Sequence, residues 1–356
     1  MKKIPEKTPV VVAKVNAADN LASFISGLPY DKSGCYQRID SMIGWNQYAS
    51  DIDSIFSFGN RVRINKMKTW ADSVLIKNKS VTTLFYPFAG PDFLNADIFY
   101  PNADQYIMIG LEPIGKLPDI CSMIPDSVKS YLTSVDNTLK DIFKRSYFIT
   151  SRMTDDLKKT KINGTVPLIS LFIKRTGHQI VSIRRVGVDS LGNCQIVDSL
   201  KYPKNVVPGV RIDFTAVQGG KIQSVFYFRT DISDKGLKKN KGFITYLSKL
   251  PQSYTYLKAA SFLLHFDDFK MIRDLIFNVS LTILQDDSGI AYKLFDKSRW
   301  DIRLFGRYST PVKEFSYIKE PDLEKAFKQP GVKPLPFDLG YNWRTRNTSM
   351  LYAVRK

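Results

Sequence analysis

Three acidic turns hold most of the chemical potential in this sequence: Asp92 in "FYPFAGPDF", Glu112 in "GLEPIG", and Asp286 with Asp287 in "QDDSG". Each follows an apolar, strand-like run and lies beside glycine or proline. Carboxylates brought to one rim by the ends of neighbouring strands can hold a metal ion or move protons. In such a cleft Gly90, Asp92, Glu112 and Ser288 would anchor a ligand, and Asp286 or Asp287 would act as general base or metal ligand, of a metal the residue types do not name. Asp beside Gly is also ordinary turn chemistry, with the side chain bonded to its own backbone. Adjacent strand residues point to opposite faces, so only one of Asp286 and Asp287 can serve a given cleft unless the turn begins there.

The chain has two histidines. His265 in "LLHFDDF" has Asp267 and Asp268 nearby, which makes it a candidate acid–base residue, against the plainer reading of a hydrogen-bonded structural histidine. His178, after "RTG", is expected on an exposed hairpin turn. Two histidines put a multi-histidine zinc site out of reach. Neither a G-x-S-x-G elbow nor a Walker phosphate loop is present. Cys35, Cys121 and Cys194 are widely spaced and odd in number. They read as structural cysteines, with one pairing left open.

The turn "FAGPD", followed about twenty residues later by an acid that closes a second strand, also has the pattern of nucleotide- or S-adenosylmethionine-binding sheets, where that acid holds a ribose. The match lacks G-x-G-x-x-G, and Pro91 removes a backbone N–H where a phosphate would seek one.

The elements that must position these groups spell an α/β protein: a mixed β-sheet with a Rossmann-like strand–helix–strand unit, an N-terminal helical layer and a β-rich antiparallel insertion. Residues 1–16 read as an extended lead-in. Residues 17–76 place Ile39, Ile43, Tyr48, Ile52, Ile55, Trp70 and Val74 at helical spacing. In the α/β unit 77–160, "VTTLFYPF" and "DQYIMIGLEP" are apolar strands around the short helix "FLNADIFY", and helical periodicity runs across 125–160. Section 161–232 is β-rich: "VPLISLFIK", "QIVSIRRVGV", "CQIVDSL", "GVRIDFTAV" and "IQSVFYFRTDI" alternate with turn residues as hairpins do. A second α/β unit spans 233–320, and 321–356 reads as an irregular tail.

With 356 residues, 44% of them hydrophobic, the chain can bury a sizeable core, so it is globular and not disordered. No apolar run approaches the roughly 20 residues of a membrane span. The start has the basic opening of a secretory signal, but its apolar run is only "VVVA" and Pro5 and Pro9 interrupt it. That leaves a cytoplasmic protein or a processed, exported one. A net charge of +18 attracts polyanions. The basic residues are spread along the chain, without the aromatic strand motif of a nucleic-acid binder, so an envelope polyanion or a small molecule is the expected partner.

Taken together, "FYPFAGPDFLNADIFYPNADQYIMIGLEPIG", "KAASFLLHFDDF", "LQDDSGIAYKLF" and Trp300 followed by "FGRY" resemble a family of bacterial proteins, many of them exported, for which no activity is established. The resemblance covers roughly residues 40–356. It implies a periplasmic or secreted location and one common centre for Asp92, Glu112, Asp286 and Asp287. The resulting expectation is an exported protein that binds, with hydrolysis as a further option, an envelope or extracellular ligand. The rivals are a cytoplasmic Rossmann-like transferase using S-adenosylmethionine or a nucleotide, with Glu112 on the ribose, and a non-enzymatic part of a cell-surface assembly.

Overall fold

In the computed structural model the described residues are 16–76, 80–145, 162–199, 201–216, 219–308, 310–311, 315–340 and 348–356. The lead-in up to residue 15 and the helical reading beyond residue 145 fall outside them, at least as far as residue 161. One ten-stranded mixed sheet organises the chain. Its strands are β1 (Thr83–Tyr86), β2 (Gln105–Gly110), β3 (His178–Val188), β4 (Cys194–Ile196), β5 (Val207–Ala216), β6 (Gln223–Arg229), β7 (Ser253–Leu257), β8 (Ser280–Asp286), β9 (Trp300–Gly306) and β10 (Ser349–Arg355). Their order across the sheet is β4-β3-β5-β6-β2-β1-β7-β8-β10-β9.

The central five, β6-β2-β1-β7-β8, are parallel. Their sequences are near-continuous apolar runs because both faces are covered, as parallel sheets require. In β1 and β2 the alternation is direct: Leu84, Tyr86, Tyr106 and Met108 enter one core, Phe85, Ile107 and Ile109 the other. From β1 the chain builds outward through β2 to β6; it later returns to the other side of β1 with β7 and β8. The direction of growth therefore reverses between β1 and β7, which opens a crevice beyond their carboxyl ends.

The first core lies under α1 (Ala17–Ile25), α2 (Cys35–Ile43), α3 (Trp45–Gly59), α4 (Asn65–Val74), α5 (Phe93–Phe99), α6 (Pro125–Arg145) and α7 (Thr165–Arg175). A π-helical turn, Asn60–Ile64, joins α3 to α4. Gly59 lets α6 come close: a Cβ there would sit 2.2 Å from the Phe143 ring. Cys35 of α2 forms a disulfide with Cys121, just beyond β2, so two of the three cysteines are paired and Cys194 is free. The opposite core lies under α8 (Asp234–Lys239), α9 (Lys241–Ser248), α10 (Lys270–Val279) and α11 (Pro321–Phe327).

Two expectations change. "VPLISLFIK" is helix α7, not a strand: residues 165–174 are all buried, so no polar stripe betrays the helical period. The tail is not irregular throughout, since it contains α11 and supplies β10, antiparallel to both β8 and β9. The β-rich section does form antiparallel pairs, β4-β3-β5-β6, and these extend the edge of the same sheet. Among the described residues no helix is long and apolar enough to cross a membrane.

Candidate functional site

Beyond the reversal point lies a pocket of about 210 Å³, walled by the residues that follow β1, β2, β6 and β7. Most of the wall is apolar, including Phe88, Ile109, Leu111, Ile232, Leu263 and Phe269; the polar groups are those of Tyr86, Asp92, Glu112, Thr230, Asp231 and Lys258. Phe88 and Ala259, both in the wall, have φ of 60° and 57°. Side-chain-bearing residues seldom take up this left-handed region, and such strain gathers at ligand clamps and active sites.

Asp92 is 1% exposed. It caps α5, accepting from the Asn95 backbone N–H at 3.4 Å and from Asn95 Nδ2 at 2.9 Å, and it accepts from the Tyr86 hydroxyl at 2.8 Å. Lys258, directly after β7, ion-pairs with it at 2.6 Å, and both side chains are buried. A buried charge pair persists only when well hydrogen-bonded, and Asp92 meets that condition. Arg63 of the π turn carries a charge that interacts with Asp92. Burial lowers its pKa, against the charges of Asp92 and Tyr256. The buried Tyr256 hydroxyl has no hydrogen-bond partner among the described residues.

Glu112 closes the far side. Its Oε2 accepts from the Tyr227 hydroxyl at 3.3 Å, and the same hydroxyl also meets the Glu112 carbonyl at 2.9 Å. Burial raises its pKa, and nearby backbone N–H groups, Tyr227 and the Arg229 charge pull it back. The approach is close: a Cβ on Gly110 would lie 2.4 Å from Glu112 Oε2 and 3.1 Å from Gly90 Cα.

The turns at Gly90, Asp92 and Glu112 thus share one wall, and the "QDDSG" turn lies behind it. Asp286 is 2% exposed. Its Oδ2 accepts from the Ala259 backbone N–H at 3.2 Å, and its Oδ1 accepts from the Ser288 N–H at 2.9 Å and hydroxyl at 2.5 Å. Burial raises its pKa, and those bonds and Lys258 oppose the rise. A Cβ on Gly340 would touch its Oδ2 at 2.4 Å. Asp286 therefore fixes the strained Ala259 turn, and it does not border the pocket. Ser288 is fully buried and serves Asp286. Asp287 is buried too, and neither residue borders the pocket.

His265, a candidate acid–base residue weighed against a structural histidine, is not paired with Asp267. The Asp267 side chain is fully exposed and reaches Arg273 at 3.9 Å. The His265 ring lies 5.6 Å from that of Phe262, its Nε2 is buried without a partner among the described residues, and burial pushes its pKa down to about 4. His178 is half-buried against Phe214, its Nδ1 3.0 Å from the Thr176 hydroxyl oxygen. Among the described residues no group of three or more His, Cys, Asp or Glu side chains could hold a metal ion.

Sequence reasoning missed Lys258, Asp231 and Tyr227. A lysine inside the apolar run "YTYLKAASF" is the signal that could have found the first. Compared with family models, curated proteins and solved structures, the chain matches none significantly.

Proposed function

We propose that the chain is a Rossmann-like protein that binds a nucleoside-bearing small molecule at the ends of β1, β2, β6 and β7, with S-adenosylmethionine as the best-fitting ligand. The observation that carries the reading is the position of Glu112: a carboxylate closing the second strand, in the wall of a pocket at the sheet's reversal point. A carboxylate there can accept both hydroxyls of a ribose. The apolar wall offers Phe88 and Leu111 to a base. The likeness to cofactor-binding sheets is an analogy of fold, and the ligand class rests on the site.

Two features favour a ligand without a diphosphate. Pro91 supplies no N–H, and the start of α5 is already taken by the Asp92 carboxylate, so a pyrophosphate would meet negative charge instead of backbone donors. A cationic sulfonium would be tolerated beside Asp231, Glu112 and the aromatic wall. Hydrolysis at Asp286 and Asp287 gains no support from this pocket, because neither side chain borders it.

Titration calorimetry tests the reading: S-adenosylmethionine should bind saturably and NAD should not. Glu112→Gln should weaken binding at least about tenfold, the worth of a charged hydrogen bond. Absence of heat with millimolar S-adenosylmethionine would remove the proposal.

A second reading, an exported binding protein holding another hydroxyl-bearing ligand in the same pocket, is favoured by the Cys35–Cys121 disulfide, since such bonds persist in oxidising compartments. Protein isolated from its native host should then show one reactive thiol after unfolding without reductant; three would count against export.

A further inference from the structure

A second cavity, of about 360 Å³, lies on the other side of the strap that carries Glu112. Three cations from three separate segments line it: Lys116 beyond β2, Arg185 of β3 and Arg229 of β6. Among the described residues no carboxylate borders it. Arg185 is held in place, its guanidinium 5.7 Å from the Tyr202 ring centre and bonded to the Ser199 carbonyl at 3.0 Å. Arg229 Nε donates to the Leu111 carbonyl at 3.1 Å. The Lys116 backbone N–H donates to Asn163 Oδ1 at 3.0 Å. Among the described residues neither Lys116 nor Arg229 forms an ion pair.

Folding therefore draws like charges from distant parts of the chain around one hollow; among the described residues Lys116 has no ion pair, and Arg229 feels the Glu112 charge from the far side of the strap. That gathering opposes stability, and local costs of this kind concentrate where a ligand repays them. Arg229, fixed through its Nε, keeps further N–H donors for a planar or tetrahedral oxyanion, and Arg185 and Lys116 add positive charge.

We infer that this groove is an oxyanion site for a compact phosphate- or sulfate-bearing molecule. A nucleic-acid strand fits it less well. Such a strand tracks along an extended basic channel with aromatic platforms, whereas Tyr202, the one aromatic lining the groove among the described residues, is half-buried and faced by Arg185. The site stands whether or not the strand-end pocket holds a nucleoside, because it uses different residues.

The test is titration of the full chain with inorganic pyrophosphate and with inorganic sulfate at constant ionic strength, read by calorimetry and thermal midpoint. Saturable binding of either is expected, at least tenfold weaker in Arg229→Gln and lost in Arg185→Gln/Arg229→Gln. Whichever ion binds more tightly names the source of the group. Lys116→Gln, an exposed change that leaves folding intact, should weaken binding several-fold, and Lys270→Gln, on a remote helix, should not. No saturable binding of either ion, or equal loss in Lys270→Gln, overturns the site. So does binding of single-stranded oligonucleotides that exceeds pyrophosphate and falls equally in all four variants.

Discussion

Asp97, on the buried side of α5, should make the protein less stable as pH rises, and Asp97→Asn should remove that dependence. The side chain is 4% exposed and its Oδ1 has no hydrogen-bond partner among the described residues. Burial raises its pKa from 3.8 to about 7, against a pull from Lys68. In the unfolded chain the acid ionises near its usual value; in the fold it stays protonated until near neutrality. Between these limits the native state binds the extra proton, so unfolding free energy falls as pH climbs. Three units at about 1.4 kcal/mol each set an upper size of about 4 kcal/mol, complete above pH 7. Urea unfolding of the wild type and Asp97→Asn at pH 4, 6 and 8 isolates the effect, because every other titrating group cancels in the difference. The variant should match the wild type near pH 4 and exceed it by a few kcal/mol at pH 8. Parallel curves across the range would show that Asp97 is solvated or paired, and the reasoning would fail.

Lys258→Met should cost about 3–5 kcal/mol, since it strands a buried carboxylate. Asp92→Asn/Lys258→Met should recover most of that loss in the same urea assay, and a single variant within 1 kcal/mol of wild type would mean that the pair is not buried. Gly110→Ala should push the Glu112 carboxylate from its place and lower S-adenosylmethionine affinity about as much as Glu112→Gln. Unchanged affinity by calorimetry would show that Glu112 does not meet the ligand.

The sequence made the parallel strands legible because a run such as "DQYIMIGLEP" is apolar on both faces and then stops at a turn residue. The same rule misled at α7, where burial on all sides erased the polar stripe and β-branched residues imitated a strand. β10 was hidden for a different reason: its place between β8 and β9 depends on sheet order, which no local pattern encodes. Within the site, Asp92 and Glu112 could be found from the breaks that follow their strands. Asp286 passed for a reactive acid because sequence shows an acid and a turn without showing how many donors surround it. Lys258 was overlooked since its partner lies far away along the chain.

The bridge between Cys35 and Cys121 spans 86 positions and makes a covalent hoop of that stretch. Two of the three wall acids, Asp92 and Glu112, are threaded on the hoop, while Asp231 and Lys258 hang outside it. Even when the chain is unravelled, the two carboxylate-bearing turns remain tethered within one closed ring, and only the other half of the wall must travel from a distance to meet them.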